Sequence, residues 1–198
     1  MAEAKDSEQK RLRLYRLLLK KYSDAINEKE RRTIGQIKGL VDKDDLTIQS
    51  IASEFKPKDY SFESDYLSTA EKIFDFVQKE IDFVKADVEI SFWLSSKEVM
   101  ENKVADDEDL AVFLCSLLYA LGDEKASVAI AELDNLSTHA FVMAEFENKF
   151  FLLDPGQKKP FNEFSGSRET VLEKYSFEGA KLRRFLYKFN HEEYEQFF

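Results

Sequence analysis

Between Asp106 and Gly122 the chain carries four successive acidic residues and then a long apolar stretch. Large apolar residues recur there at helical spacing, at Leu110, Phe113, Leu114, Leu117, Leu118 and Leu121. Carboxylates stabilise the start of a helix, where unpaired N–H groups point outward, and glycine commonly follows the last turn. The segment predicts a helix that is capped by Asp106, ends at Gly122 and needs another element to cover its apolar stripe.

Three later apolar segments predict the strands that provide this cover. They run from Ala126 to Leu133, from His139 to Phe146 and from Phe150 to Asp154. The short polar connection between the last two indicates a β-hairpin. Together with the helix, these strands predict an α+β fold in which the helix packs on an antiparallel sheet.

The register of this hairpin decides whether His139 and Asp154 can meet. With a two-residue loop, Phe146 pairs with Lys149, and His139 and Asp154 share one face as diagonal neighbours. Their backbones are then roughly 7–8 Å apart. A three-residue loop would put them on opposite faces. On the same face, the carboxylate would orient the imidazole, and flanking carboxylates would raise the pKa of His139 above its ordinary value of about 6.5.

The whole chain divides into a helical region, residues 1–58, and a main domain, residues 59–198. Residues 8–55 predict about two helices, and the segment 56–65 predicts a connection. In the main domain, a further helix is predicted from Tyr66, with a capping box at Ser68 and Glu71 and apolar positions through Val84. A short helix opened by Ser95 and Glu98 follows. Nearer the C-terminus, the sequence predicts a helix at Glu169 to Tyr175 and a strand through Phe185, Tyr187 and Phe189.

Composition limits the setting and the partners. The chain has 198 residues, 43% of them hydrophobic, and a formal charge of −10, which disfavours nucleic acid and anionic membranes as general partners. Its single cysteine, Cys115, excludes an intrachain disulfide and is expected in the core. No signal peptide or membrane-spanning run is visible, so we expect a soluble, cytoplasmic protein.

Two runs of sequence resemble the transglutaminase-like superfamily. ADDEDLAVFLCSLLYALG, residues 105–122, is similar to its pattern of Gly-Asp-Cys before an apolar helix. HAFVMAEFENKFFLLDP, residues 139–155, is similar to its His followed by Asp-Pro. IFDFVQKEIDF and FWLSSKEVMENK resemble the segments that precede the nucleophile in microbial members. The resemblance implies a papain-like core with His139 as general base and Asp154 as its orienting carboxylate.

The resemblance also places Asp107 where the nucleophilic cysteine belongs. A carboxylate is a weak nucleophile that would have to form a high-energy anhydride, so we expect a catalytically inactive binding or structural module. It would need no cofactor or metal, and its partner would be a protein or peptide in the inherited cleft. Two alternatives stay open. Asp107, His139 and Asp154 could support amide or peptide hydrolysis by altered chemistry assisted by a divalent cation, or function could reside in the helical region 8–55.

Overall fold

The structure is a computed structural model and describes residues 2–85, 90 and 92–198. Its helices are α1 (Ala2–Glu30), α2 (Ile34–Lys38), α3 (Leu46–Phe55), α4 (Phe62–Glu80), α5 (Ser96–Asn102), α6 (Asp107–Ala120) and α7 (Arg168–Lys174). Its strands are β1 (Asp82–Phe83), β2 (Val104–Ala105), β3 (Ser127–Leu133), β4 (Thr138–Phe146), β5 (Lys149–Leu153), β6 (Ser165–Gly166), β7 (Ser176–Phe177), β8 (Ala180–Phe189) and β9 (Tyr194–Gln196).

The larger sheet is antiparallel and has β4 and β3 at its centre. Its strand order is β6-β5-β4-β3-β8-β7, and β9 pairs with the free part of β8. A separate short parallel pair joins β1 to β2. Strands β3, β4 and β5 follow the three predicted apolar segments to within about one residue at each end.

Helix α6 is the centre of the main core. Every residue of α6 from Asp109 to Ala120 is buried, because the sheet covers one side and α3 and α4 pack on the other. Asp106 caps the first turn through its side chain, and Gly122 follows the last turn at a φ of +102°, as the sequence predicts. The predicted α+β fold, with this helix on an antiparallel sheet, is confirmed.

The hairpin between β4 and β5 has the two-residue loop on which the predicted site depends. Phe146 lies opposite Lys149, and the two loop residues, Glu147 and Asn148, have φ values of +50° and +61°. Positive φ at both central positions is the geometry of a type I′ turn, whose twist matches that of the flanking strands. Asparagine tolerates this conformation better than most residues, so Asn148 helps to set the register.

The second face of the sheet is also covered. Apolar residues of β3, β4 and β5 that point away from α6 pack against α7 and the β7 segment. Phe141 lies at the centre of this layer and contacts the Tyr175 ring with centroids 5.1 Å apart. His139 and Asp154 belong to this face, because alternation along β4 and β5 places them beside Phe141 and Leu152.

The N-terminal half departs from the predicted elements in three places. Residues 8–55 form three helices instead of two, because Thr33 opens α2 with its own capping box. Helix α4 begins at Phe62, not near Tyr66, and Ser68 donates to the Asp65 carbonyl instead of forming a capping box. The same helix ends at Glu80, before Val84, since the backbone there turns to pair with β2.

Helix α3 shares the core of the main domain, since Ile48, Ile51 and Ala52 belong to the same buried cluster as α6. The predicted division of the chain at residue 58 stays a prediction. Within the residues described, we find no helix with the length and apolar character needed to cross a bilayer.

Leu114 tests the packing of α6 on the sheet. It is fully buried, so Leu114→Ala should leave a cavity and lower the free energy of unfolding by about 3 kcal/mol. Leu46 is 86% exposed, and Leu46→Ala is the matched control, with little expected change. Urea denaturation of both variants measures the difference. Equal stability of the two variants would contradict the central position of Leu114.

Candidate functional site

Three elements meet at the predicted site: the first turn of α6, the start of β4 and the end of β5. The imidazole of His139 lies between two carboxylates. Its Nδ1 is 2.9 Å from Asp107 Oδ2 and its Nε2 is 2.9 Å from Asp154 Oδ2. The structure therefore brings together all three residues named from the sequence, and each ring nitrogen faces a different acid.

Asp107 has two stabilising interactions besides its contact with the imidazole. The backbone N–H of Ala140 donates to the same Oδ2 atom at 2.8 Å. Asp107 is the first residue of α6, so its carboxylate also lies at the positive end of the helix dipole. This one side chain joins the start of the central helix to the start of β4.

Asp154 has a complete set of hydrogen-bond partners. Its Oδ2 accepts from the Tyr175 hydroxyl at 2.7 Å and from Gln157 Nε2 at 2.8 Å, besides His139. Its Oδ1 accepts from the backbone N–H of Gly156 at 3.1 Å. A buried carboxylate satisfied in this way is a fixed anion that orients the imidazole.

The two carboxylates keep His139 protonated. Burial alone would lower the pKa of His139, but the hydrogen bonds to Asp107 and Asp154 and their charges outweigh it and raise the pKa to about 9. Burial likewise acts to raise the pKa of Asp107, and the hydrogen bond and charge of His139 overcome this and lower it. These interactions favour an imidazolium at neutral pH, which is the direction of the pKa shift that the sequence predicts for His139.

Aromatic rings close the site from solvent. The Phe177 ring stacks on the imidazole with centroids 3.6 Å apart and planes 18° apart. Phe83 packs edge-on against Phe177. His139 is only 2% exposed as a result, whereas the Asp107 side chain is 22% exposed. Asp107 is the member of the trio that a molecule from solution can reach.

Within the part of the chain that the structure describes, the other acidic residues at the start of α6 form no ion pair of this kind. Burial, followed by repulsion from the neighbouring carboxylates, raises the pKa of Glu108 to about 8 and that of Asp109 to about 7. Asp109 is buried, and its Oδ1 accepts from the Leu94 backbone N–H. The helix start therefore holds a dense set of acids, of which Asp107 alone contacts the imidazolium.

Sequence reasoning missed the groups that surround the trio. Tyr175, Gln157 and Phe177 are brought in by the chain after β5, and no motif marks them in the sequence. The one available signal was the aromatic content of the segment from Phe161 to Phe177. Trp93 is partly buried and packs edge-on against Phe189 at the main core. Cys115 is fully buried, as predicted.

Both ring nitrogens of His139 and the Oδ2 atoms of Asp107 and Asp154 are engaged with one another. Across the described ranges, no cluster of three or more His, Cys, Asp or Glu side chains has an arrangement that could hold a metal ion. A cavity of about 230 Å³ lies near the far end of β4 from His139, beside Met143, Phe150 and Arg168. The cavity does not open onto the trio.

Solved structures of other proteins share this α+β fold. LapG of Legionella pneumophila superposes with a TM-score of 0.54 at 15% identity, over 88% of this chain and 87% of LapG. The EGTA-treated form of LapG gives the same TM-score and identity, over 88% of this chain and 84% of LapG. At this identity the similarity establishes the fold alone.

A candidate cysteine protease from Cytophaga hutchinsonii is more distant. It has a TM-score of 0.44 at 16% identity, over 77% of this chain and 55% of that protein. No protein-family model matches the sequence, and no curated protein matches it either.

The protonation of His139 can be measured directly. We expect its imidazole to titrate with a pKa of about 9 in an NMR experiment, with His139→Gln identifying its signals among the two histidines of the chain. The folded pKa lies above the unfolded value of about 6.5, so protonation stabilises the fold. This stability should be fully present below about pH 6.5 and lost as the pH rises through about 9. A measured pKa below about 6 would show a neutral, buried imidazole instead.

Proposed function

We propose that this chain is a catalytically inactive transglutaminase-like protein in which the former catalytic triad has become a partly exposed ion triad. The observation that carries the proposal is the direct contact of Asp107 with His139 Nδ1. In this reading Asp107 stands at the nucleophile position, and His139 and Asp154 hold the positions of the base and its orienting acid. The site would join α6 to the sheet and act as a structural element.

The chemistry of the side chains supports an inactive site. A thiolate attacks an amide to give a thioester that water can open, whereas a carboxylate would have to form an anhydride. Cys115 offers no replacement, because it is fully buried and eight residues along α6 place it about 12 Å from Asp107. Burial also raises the pKa of the Cys115 thiol, so little thiolate forms there.

The surroundings of the site support the same reading. A general base must be free to take a proton, but both nitrogens of His139 are engaged and the ring face is covered by Phe177. Acyl transfer also needs donors aimed at a developing oxyanion. Burial and mutual repulsion already raise the pKa of Glu108 and Asp109 at the start of α6, so this region is unfavourable for new negative charge.

A binding role would use the exposed part of the site. The proposed partner class is a protein or peptide in the cleft that the fold inherits, and it would meet Asp107 rather than His139, given their exposures of 22% and 2%. The buried single cysteine is compatible with the cytoplasmic location predicted from the sequence.

Restoring the thiol tests the proposal. In Asp107→Cys, the new thiol would lie at a helix start, beside an imidazolium that Asp154 still orients. We expect its pKa to fall well below the ~8.5 of a free cysteine, so that it is alkylated rapidly at about pH 6. Cys115 should not react in the folded protein. Mass spectrometry of the alkylated cysteines gives the rates.

Two variants serve as controls for this experiment. Glu63→Cys places a thiol in the first turn of α4, where no histidine is near, and should react slowly at the same pH. Adding His139→Ala to Asp107→Cys should return the alkylation rate of the introduced thiol to that of an ordinary cysteine. If Asp107→Cys reacts no faster than Glu63→Cys, the three residues do not occupy the positions of a cysteine-based triad. Amide hydrolysis by the unmodified chain would contradict the inactive reading.

A further inference from the structure

Helix α1 presents an unusually apolar surface to solvent. Every residue from Glu8 to Tyr22 is exposed. Seven large apolar side chains of this stretch are between 39% and 67% exposed: Leu12, Leu14, Tyr15, Leu17, Leu18, Leu19 and Tyr22. Scattered single apolar residues are ordinary on protein surfaces, but six of these side chains, all except Leu17, lie next to one another along the helix, and a group of this size marks an interaction site.

The apolar residues form two neighbouring rows along the helix. Leu12, Tyr15, Leu19 and Tyr22 recur at intervals of three and four residues, and Leu14 and Leu18 form a second row beside them. At 3.6 residues per turn, the two rows span an arc of roughly 160°. Leu17 lies outside this arc, and Arg11 falls within it near the N-terminal end.

Basic side chains occupy the opposite face. Arg13, Arg16 and Lys20 lie there, and Lys10 and Lys21 lie along the edge of the apolar rows. Residues 8–22 contain six basic residues and one acidic residue, a net charge of +5 in a chain whose formal charge is −10. The rest of the chain therefore carries −15, so the net charge of residues 8–22 is opposite in sign to that of the remainder.

We propose that α1 lies along the surface of an anionic lipid bilayer. Its apolar rows would enter the boundary between headgroups and acyl chains, and its basic residues would contact lipid phosphates. The long stems of Arg11, at the N-terminal end of the apolar face, and of Lys21, at its edge, allow their charges to reach the headgroup level. The overall charge of −10 by itself disfavours an anionic membrane as a partner. The overall value does not show that residues 8–22 carry a net positive charge.

The width of the apolar face favours a flat surface over a single partner helix. A two-stranded coiled coil would cover the row of Leu12, Tyr15, Leu19 and Tyr22 and leave Leu14 and Leu18 in water. In a parallel pair of this chain, Arg11 and Arg16 would flank the seam and face each other across it, and like charges there disfavour pairing. A bilayer surface covers both rows at once.

Vesicle co-sedimentation with the full chain tests the proposal. The chain should sediment with vesicles of phosphatidylglycerol and phosphatidylcholine in equal parts, and it should stay in solution with phosphatidylcholine alone. Binding should weaken as salt is added, because salt screens the attraction of the basic residues. The double variants Leu14→Gln/Leu18→Gln and Arg13→Gln/Lys20→Gln should each reduce the partition coefficient roughly tenfold or more. Glutamine preserves helix propensity, and circular dichroism checks that α1 persists.

Matched variants elsewhere on the surface provide the controls. Leu46→Gln removes an apolar side chain that is 86% exposed, and Lys72→Gln/Lys79→Gln removes two exposed positive charges from α4. Both should bind anionic vesicles as the unmodified chain does. The proposal is overturned if the chain ignores anionic vesicles, if the α1 variants bind as well as the controls, or if light scattering shows an oligomer that Leu14→Gln/Leu18→Gln dissociates. The last result would mean that a second copy covers this face.

Discussion

The contact of one imidazolium with two carboxylates connects the three elements at the centre of this molecule. Asp107 belongs to the first turn of α6, His139 to the start of β4 and Asp154 to the end of β5. A buried charge is costly unless it is paired and hydrogen-bonded, so each member of the trio requires the other two to stay in place. The tight β4–β5 turn, the capped start of α6 and the aromatic cover over His139 all serve to hold this arrangement.

Much of the fold could be read from the sequence because its strongest signals are local. Apolar residues recur at helical spacing from Leu110 to Leu121 and alternate along the strands, so each element can be recognised from its own spacing. The two-residue turn then determines which strand residues share a face. The meeting of His139 and Asp154 follows from that register. Their meeting with Asp107 was suggested by the family resemblance and requires the helix to cross the sheet at one end.

The elements that escaped prediction depend on contacts distant in sequence. Phe177 covers His139 only because β7 returns to the sheet beside β8, and nothing in the local pattern of residues 176–177 reveals that path. Helix α4 ends at Glu80, although Ile81 and Val84 continue its apolar spacing, because the next backbone groups pair with β2. Pairing between segments about twenty residues apart overrides helical periodicity there.

The hydrogen bond from the Ala140 backbone N–H to Asp107 has a consequence for how such a protein can change over time. Asp107 accepts from both Ala140 and His139, so it contributes to the folded state in a way that a thiol, a weak acceptor, could not fully reproduce. Under the proposed function, the residue that ended catalysis also became part of the scaffold. A return to cysteine would then require substitutions elsewhere that replace the lost contribution of Asp107 to the folded state. The loss of the nucleophile would therefore be difficult to reverse.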